Sequence, residues 1–161
     1  MPLSQSLQEK PALAGFVLLC FAVAGLGSLA RTPALDGWYA TLRKPSWTAP
    51  NWVFGSVWSL FYLGMAIAAW LIWRERARTR TNLLLFLFAT QLVLNLFWSI
   101  LFFGWQLPGP AFVEILLLWS AILATLVTFS RVSTLAAWLF VPYLVWVTFA
   151  AFLNLSILQL N

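Results

Sequence analysis

The hydrophobic positions fall into five long runs separated by short polar breaks. The first, Ala12 to Ala30, is closed by Arg31, Thr32 and Pro33, and follows a short polar lead in which Glu9 and Lys10 cancel. The second, Asn51 to Trp73, gives way to Arg74-Glu75-Arg76-Ala77-Arg78-Thr79-Arg80. The third covers Thr81 to Trp105 and meets Leu107-Pro108-Gly109-Pro110, a turn by its own chemistry. The fourth is Ala111 to Phe129, with Glu114 in its first turn, where an acid suits the helix dipole. After Arg131 and Ser133 the fifth occupies Thr134 to Leu158. Each run approaches or exceeds the ~20 residues with which a helix crosses a hydrocarbon core. The pattern predicts an all-α integral membrane protein, a five-helix bundle forming a single domain over residues 1–161. A signal peptide competes for the first run, because Ser28-Leu29-Ala30 resembles a small-residue cleavage site. The leader lacks net positive side-chain charge and the run exceeds the ~7–15 residues of a signal core, which favours a retained span.

Between the first two runs, residues 31–50 form a loop of unusual content. From Trp38 to Trp58 the chain carries Trp38, Tyr39, Trp47, Trp52 and Trp58, the basic pair Arg43 and Lys44, and prolines 45 and 50. Each proline fixes φ and removes a backbone donor, so the first half of this stretch is not one continuous helix. From Asn51 onward Phe54, Trp58 and Tyr62 recur every four residues, stacking three aromatics on one helical face. The stretch predicts a structured, Trp-rich loop that caps the bundle and then enters a membrane helix.

Composition sharpens the class. Of 161 residues 63% are hydrophobic and only 8% charged, and mean hydropathy is +0.91, far from the roughly one-quarter charged content of soluble domains. The net charge of +5 does not point to nucleic acid, because four of the nine cations sit in the single segment Arg74–Arg80. Lys10, those four arginines and Arg131 would share one side of the membrane, against Arg31, Arg43 and Lys44 on the other. Six against three predicts the N-terminus inside, with loop 1 and the C-terminus outside. Cys20 is the lone cysteine and there is no histidine. That removes disulfides within the chain, Cys-x-x-Cys sites, Ser-His-Asp and Cys-His catalysis, the usual zinc sites and the commonest protein ligand of haem iron. No metal site and no obligatory cofactor are expected.

Chemistry must then come from amides and aromatics. In the third run Gln91, Asn95, Trp98 and Phe102 share one helical face; in the fifth, Tyr143, Trp146, Ala150 and Asn154 do, below a kink expected at Pro142. Amides at membrane depth need partners, since bare polar groups in hydrocarbon cost several kcal/mol. Interhelical hydrogen bonding is the plain reading; a pocket offering amide dipoles and indole faces to a planar ligand is the sharper one. Trp70, Trp73 and Trp105 lie near span ends as interfacial belt residues. Trp38, Trp47, Trp52, Trp58, Trp98 and Trp146 come from loop 1 and three helices, and would suit an apolar planar ligand if they converged. Arg43 and Lys44 would neutralise carboxylates on such a ligand, or anchor the loop near headgroups. The four arginines of the second loop read as a topology signal and a contact for lipid phosphates. Ala24-xxx-Ser28 and Gly64-xxx-Ala68 are small-residue pairs that allow close helix approach.

These residues resemble the TspO/MBR family: the tryptophan-rich sensory proteins of bacteria and the mitochondrial translocator, or peripheral benzodiazepine receptor. The matching positions are Trp38-Tyr39, Leu42, Lys44-Pro45-x-Trp47, Pro50, Val53-Phe54 and Trp58. They continue in order with Gln91-Leu92-x-x-Asn95, Trp98, Phe102-Phe103-Gly104, Glu114, Pro142-Tyr143-x-x-Trp146 and Leu153-Asn154. The resemblance implies a five-helix bundle, commonly a homodimer, whose pocket under loop 1 binds porphyrins and, in some members, sterols and benzodiazepine-type drugs. Carried over by position, it implies pocket aromatics at Trp38, Tyr39, Trp58, Tyr62, Trp98 and Trp146 and a polar contact at Asn95, with Pro45 and Trp47 shaping the lid; Phe54, Gln91, Tyr143 and Ala150, on the same helical faces, complete the expected ligand contacts. Some bacterial relatives degrade protoporphyrin IX in light, a reaction linked to tryptophans resembling Trp58 and Trp146. Two departures stand out. The usual Pro-Pro of the lid is Ala49-Pro50, and the sterol motif of animal members reads Leu153-Asn154-Leu155 with Gln159 at its basic position. Without the Tyr and the Arg, that motif gives no basis for sterol recognition.

The expected function is a membrane receptor or carrier for porphyrins, protoporphyrin IX and haem among them, in a regulatory or tetrapyrrole-handling role. The alternatives are a light-dependent porphyrin-degrading enzyme, in which Trp58 and Trp146 would be catalytic, and a lipid-interacting structural protein with no small-molecule site.

Overall fold

The computed structural model describes residues 3–161, with side chains from residue 9 onward. Six α-helices follow one another: α1 (Leu3–Asp36), α2 (Trp38–Thr41), α3 (Asn51–Arg74), α4 (Asn82–Ser99), α5 (Pro108–Ser130) and α6 (Thr134–Leu160). All but the single-turn α2 are long and apolar enough to cross a membrane. The protein is an all-α, five-span membrane bundle. Contacts run in the cyclic order α1–α3–α6–α5–α4 and back to α1, so the spans close a ring around a shared core. α1 is the outlying member. Only 11% of its most apolar stretch is buried, against 33% or more in the others.

Helix limits differ from the hydrophobic runs where proline was read too strictly. α1 starts within the polar lead and passes through Arg31, Thr32 and Pro33 to Asp36. A proline inside a membrane helix loses its own donor but is tolerated there, so the helix runs through Pro33 to Asp36. The chain turns at Gly37, where an added Cβ would sit 3.2 Å from the Pro33 carbonyl oxygen; only glycine fits without a shift. The turn expected at Leu107–Pro110 lies slightly earlier. Gln106 adopts φ 57°, and Pro108 is already the first residue of α5, where its missing N–H costs nothing. α6 opens on Ser133, whose hydroxyl accepts from the Ala136 N–H at 3.3 Å and caps the helix.

Between α4 and the turn, Ile100–Gly104 widens into a π-helical turn closed by the Trp105 N–H on the Ile100 carbonyl at 2.7 Å. The extra residue per turn lets Phe102 and Phe103, adjacent in sequence, both bury. At the opposite end Arg74 lies 3.4 Å from the Glu9 carboxylate and stacks over Trp70, whose indole N–H donates to the Glu9 carbonyl at 3.0 Å. Arg76 covers Trp73. Two of the belt tryptophans, Trp70 and Trp73, are thus paired with arginines of the second loop, while Trp105 meets Phe97 edge-on. Of the small-residue pairs, Gly64 approaches the Leu139 carbonyl of α6 and Ala68 is buried, so this pair serves packing within the chain.

Candidate functional site

Loop 1 lies over one mouth of the ring. Pro45 opens a turn closed by the Thr48 N–H on its carbonyl at 3.1 Å, and the Thr48 hydroxyl donates to the same oxygen at 2.8 Å. Pro50, at φ −58° and ψ 147°, holds the extended approach to α3. Three ties keep the loop down. Lys44 donates from Nζ to the Tyr39 carbonyl at 2.6 Å and sits 4.6 Å over the Tyr39 ring. The Trp47 ring meets Phe149 edge-on at 5.6 Å. The Asn161 side chain clasps the Arg43 backbone twice, accepting from its N–H at 2.9 Å and donating to its carbonyl at 3.0 Å.

Beneath the loop, rings from four elements touch. Trp146 packs on Phe54 at 5.7 Å, Phe61 at 6.1 Å and Phe149 at 5.3 Å. Trp58 meets Phe61, Tyr62 and Tyr143 at 6.2, 5.9 and 6.0 Å. On the other side Trp98 stacks on Phe102 at 5.4 Å, and Phe102 takes Trp38 and Tyr39 edge-on at 5.7 and 6.3 Å. The aromatic positions of loop 1, α3, α4 and α6 are therefore brought together, with Trp52 the exception: it points away and is 75% exposed. Between the two groups lies a cavity of about 10 Å³ lined by Tyr39, Phe54, Trp98, Phe102, Ala150, Leu153 and Asn154. That is room for about one water molecule, against the roughly 300–1,000 Å³ of ordinary ligand pockets. The site is closed.

Two donors in this cluster are buried without a hydrogen-bond partner among the described residues: the Tyr39 hydroxyl and the Trp146 indole N–H. Burial pushes the Tyr39 hydroxyl up to about 12, so it stays a proton donor through neutral and mildly basic conditions. Nearby, Trp98 donates to Asn154 Oδ1 at 3.3 Å, and Asn154 in turn donates to the Pro108 carbonyl at 2.8 Å, fixing the indole against α5 and α6.

Deeper in the ring Asn95 is engaged on both sides. Asn95 accepts from the Tyr62 hydroxyl at 2.5 Å and donates to the Tyr143 hydroxyl at 2.9 Å, joining α3, α4 and α6. Gln91 is fully buried, with Nε2 3.5 Å from the Met65 sulfur and Oε1 without a partner among the described residues. Interhelical bonding, the plain reading of these amides, is what the geometry displays at Asn95. Glu114 is buried in α5 with neither carboxyl oxygen partnered among the described residues.

A family model described as TspO/MBR family matches residues 16–160, which include every residue of the aromatic cluster and the buried Gln91, Asn95 and Glu114. The chain belongs to the TspO/MBR family. A "Tryptophan-rich protein TspO" of Chlorobaculum tepidum is 45% identical over 144 residues, covering 89% of this chain and 91% of that protein. The human "Translocator protein" is 41% identical over 126 residues, or 77% of this chain and 75% of its own length. A "Tryptophan-rich sensory protein" of Cereibacter sphaeroides is 36% identical over 146 residues, 91% of this chain and 89% of that protein. For this TspO/MBR chain, sequence spacing missed two contributors. Phe61 lies three residues after Trp58 and bridges it to Trp146, a spacing that already places it on the same helical face. Arg31, read as the end of a span, lies inside one, and its charge within an apolar helix was the signal.

Proposed function

We propose that this protein is a membrane receptor or carrier that takes a planar tetrapyrrole, protoporphyrin IX above all, into the aromatic cluster under loop 1. The observation that carries the reading is the pair of buried donors, Tyr39 Oη and Trp146 Nε1, unpartnered among the described residues and set among edge-on and tilted rings. A buried donor left unmade costs about 1–3 kcal/mol, a cost that an acceptor-bearing aromatic ligand removes. Offset or edge-on ring contacts add about 0.5–1.5 kcal/mol per pair beyond burial. The names of the relatives, sensory and translocator proteins, support a sensory or translocating role at a membrane. Because the closed cavity has room for little more than one water, binding requires loop 1 to lift and the rings to part. With no histidine in the chain, stacking rather than iron ligation supplies the affinity, and metal-free porphyrin binds at least as well as haem. On the charge count, loop 1 would open away from the cytoplasm.

Titration of purified protein with protoporphyrin IX in the dark, followed by tryptophan quenching, tests the reading. Saturable quenching is expected, weakened at least tenfold in Trp58→Ala/Trp146→Ala, the loss of about 1.4 kcal/mol or more. Non-saturable quenching, or equal affinity in the double variant, rejects it. Illumination of the same complex separates the second reading, a light-dependent enzyme. One contact favours that reading: Trp58 touches Tyr62 and Tyr143, whose hydroxyls meet at Asn95, so an indole oxidised by excited porphyrin has a hydrogen-bonded neighbour network. Under that reading Trp58→Phe keeps dark affinity and slows bleaching.

A further inference from the structure

A second concavity lies outside the aromatic cluster, on the flank of the bundle where α1 meets α3 and α4. It measures about 260 Å³ and is lined along α1 by Phe21, Ala24, Gly25, Gly27, Ser28 and Arg31, with Gly55, Trp58, Ser59 and Tyr62 across from them and Ser99 from α4. From Phe21 to Arg31 the α1 wall spans ten residues of rise, roughly 15 Å. The chemistry changes along it, from an aromatic end to a guanidinium end.

Arg31 has no hydrogen bond or ion pair among the described residues, although it sits in a membrane-spanning helix and is partly buried. An unmatched cation at membrane depth is costly, and such residues ordinarily face a partner or a wet cavity. The hydroxyl of Ser99 is likewise uncommitted, while those of Ser28 and Ser59 donate back into their own helices at 2.8 and 2.9 Å. The walls are also cut away. A Cβ added at Gly25 or Gly55 would meet nothing within 4 Å, so both glycines front open space rather than a packed neighbour. Gly27, by contrast, is buried with Ser99 Oγ 3.5 Å from where its Cβ would lie, and fixes α1 to α4 at the floor. A fork of guanidinium donors with one free hydroxyl nearby, in a cleft whose walls mix hydroxyls with the apolar surfaces of Phe21, Ala24 and Trp58, matches an anion carried on an apolar body.

We propose that this flank cleft is a binding site for the anionic head of an amphiphile, a carboxylate or phosphate held by Arg31 with Ser99, its apolar part lying along Phe21, Ala24 and the outer face of Trp58. Because Trp58 borders both the cleft and the aromatic cluster, an occupant here touches the cluster without passing under loop 1. Two sources carry this chemistry: an anionic lipid, and the acid side chains of a porphyrin. The second of these rests on the function proposed above; the first does not.

The two arms of the test separate them. In the lipid arm, detergent-purified protein is melted with added phosphatidylglycerol or phosphatidylcholine. In the porphyrin arm, dark titrations compare protoporphyrin IX with its uncharged dimethyl ester. Each is repeated in Arg31→Gln and in Gly25→Leu/Gly55→Leu, which fills the cleft where there is room and replaces helix glycines by a better helix former. In at least one arm the wild type should prefer the anion, by a higher melting temperature with phosphatidylglycerol or by about tenfold in affinity for the diacid. Both variants should erase that preference. A preference confined to one arm names the source. No preference in either arm overturns the site, as does a preference that survives in the well-folded Gly25→Leu/Gly55→Leu protein, which would assign it to Arg43 or another surface cation. Loss of all porphyrin binding with the lipid preference intact rejects the function proposed above and leaves this site standing.

Discussion

Ala150→Phe should abolish saturable porphyrin quenching, weakening binding by at least about 100-fold, or ~2.7 kcal/mol. Ala150 is the small residue among large ones on the wall of the closed cavity, facing Tyr39, Phe54, Trp98 and Phe102. In this position a benzyl group occupies the space into which the rings must open, and it does so permanently. Overpacking of this kind costs about 1–3 kcal/mol of stability, a modest fall in melting temperature that leaves a folded control for the titration. The two measurements belong together. Lost quenching with a folded melt places the ligand beneath loop 1, whereas unchanged affinity excludes that location. The converse substitution is also informative: Trp52→Ala removes an indole that is 75% exposed and points out of the cluster, and should leave affinity within twofold.

Asn95→Leu should be the most destabilising change at the centre of the bundle, by about 2–3 kcal/mol. Single hydrogen bonds between membrane helices average only ~0.6 kcal/mol and reach ~1.7, so a solitary lost bond would not give this figure. Here one side chain serves two buried tyrosines on two other helices. Leucine strands both hydroxyls, and stranded buried groups cost about 1–3 kcal/mol each before relaxation. The mechanism has a signature: Asn95→Leu/Tyr62→Phe/Tyr143→Phe, which removes all three polar ends, should recover at least half of the loss despite carrying more substitutions. Thermal melting of the wild type, Asn95→Leu, Tyr62→Phe/Tyr143→Phe and the triple variant in one detergent reads this directly. Additive losses would mean that the three side chains are held by packing rather than by their hydrogen bonds.

The five spans were legible because apolar length is a nearly sufficient condition in hydrocarbon, where the backbone must satisfy itself. The four-residue recurrences Phe54–Trp58–Tyr62 and Gln91–Asn95 placed those side chains inward, and they are buried. What the recurrences left open was which inward residues face a ligand and which face one another. Asn95 reads as a ligand contact or as a strut, and only the positions of Tyr62 and Tyr143 distinguish the two, whereas Gln91 keeps a buried, unpartnered Oε1. The end of α1 was misplaced because Arg31, Thr32 and Pro33 look like a boundary when polarity and proline are weighed alone. A helix already packed on two neighbours carries them to Asp36. The π-helical turn at Ile100–Gly104 left no mark in the pattern, since its consequence, both Phe102 and Phe103 facing inward, depends on a register the sequence does not state.

The unequal lengths of the spans tie this architecture to the thickness of its surroundings. The apolar helices of α1, α3 and α6 cover 28, 27 and 27 residues, about 40–42 Å of rise, whereas those that include α4 and α5 cover 23, about 35 Å. Across a hydrocarbon layer of about 30 Å the three longer helices must lean further than the two shorter ones, and a thinner layer increases the difference. α1 is pinned low by Glu9 and high by its junction with the π-helical turn, where Gly104 meets Ala30, and it is the least buried helix between those points. Added lean of α1 and α3 relative to α4 is therefore taken up between the pins, along the seam where the flank cleft meets Ser99 of α4. The bilayer itself becomes a mechanical input, widening or narrowing the gap beside Trp58 with no ligand bound.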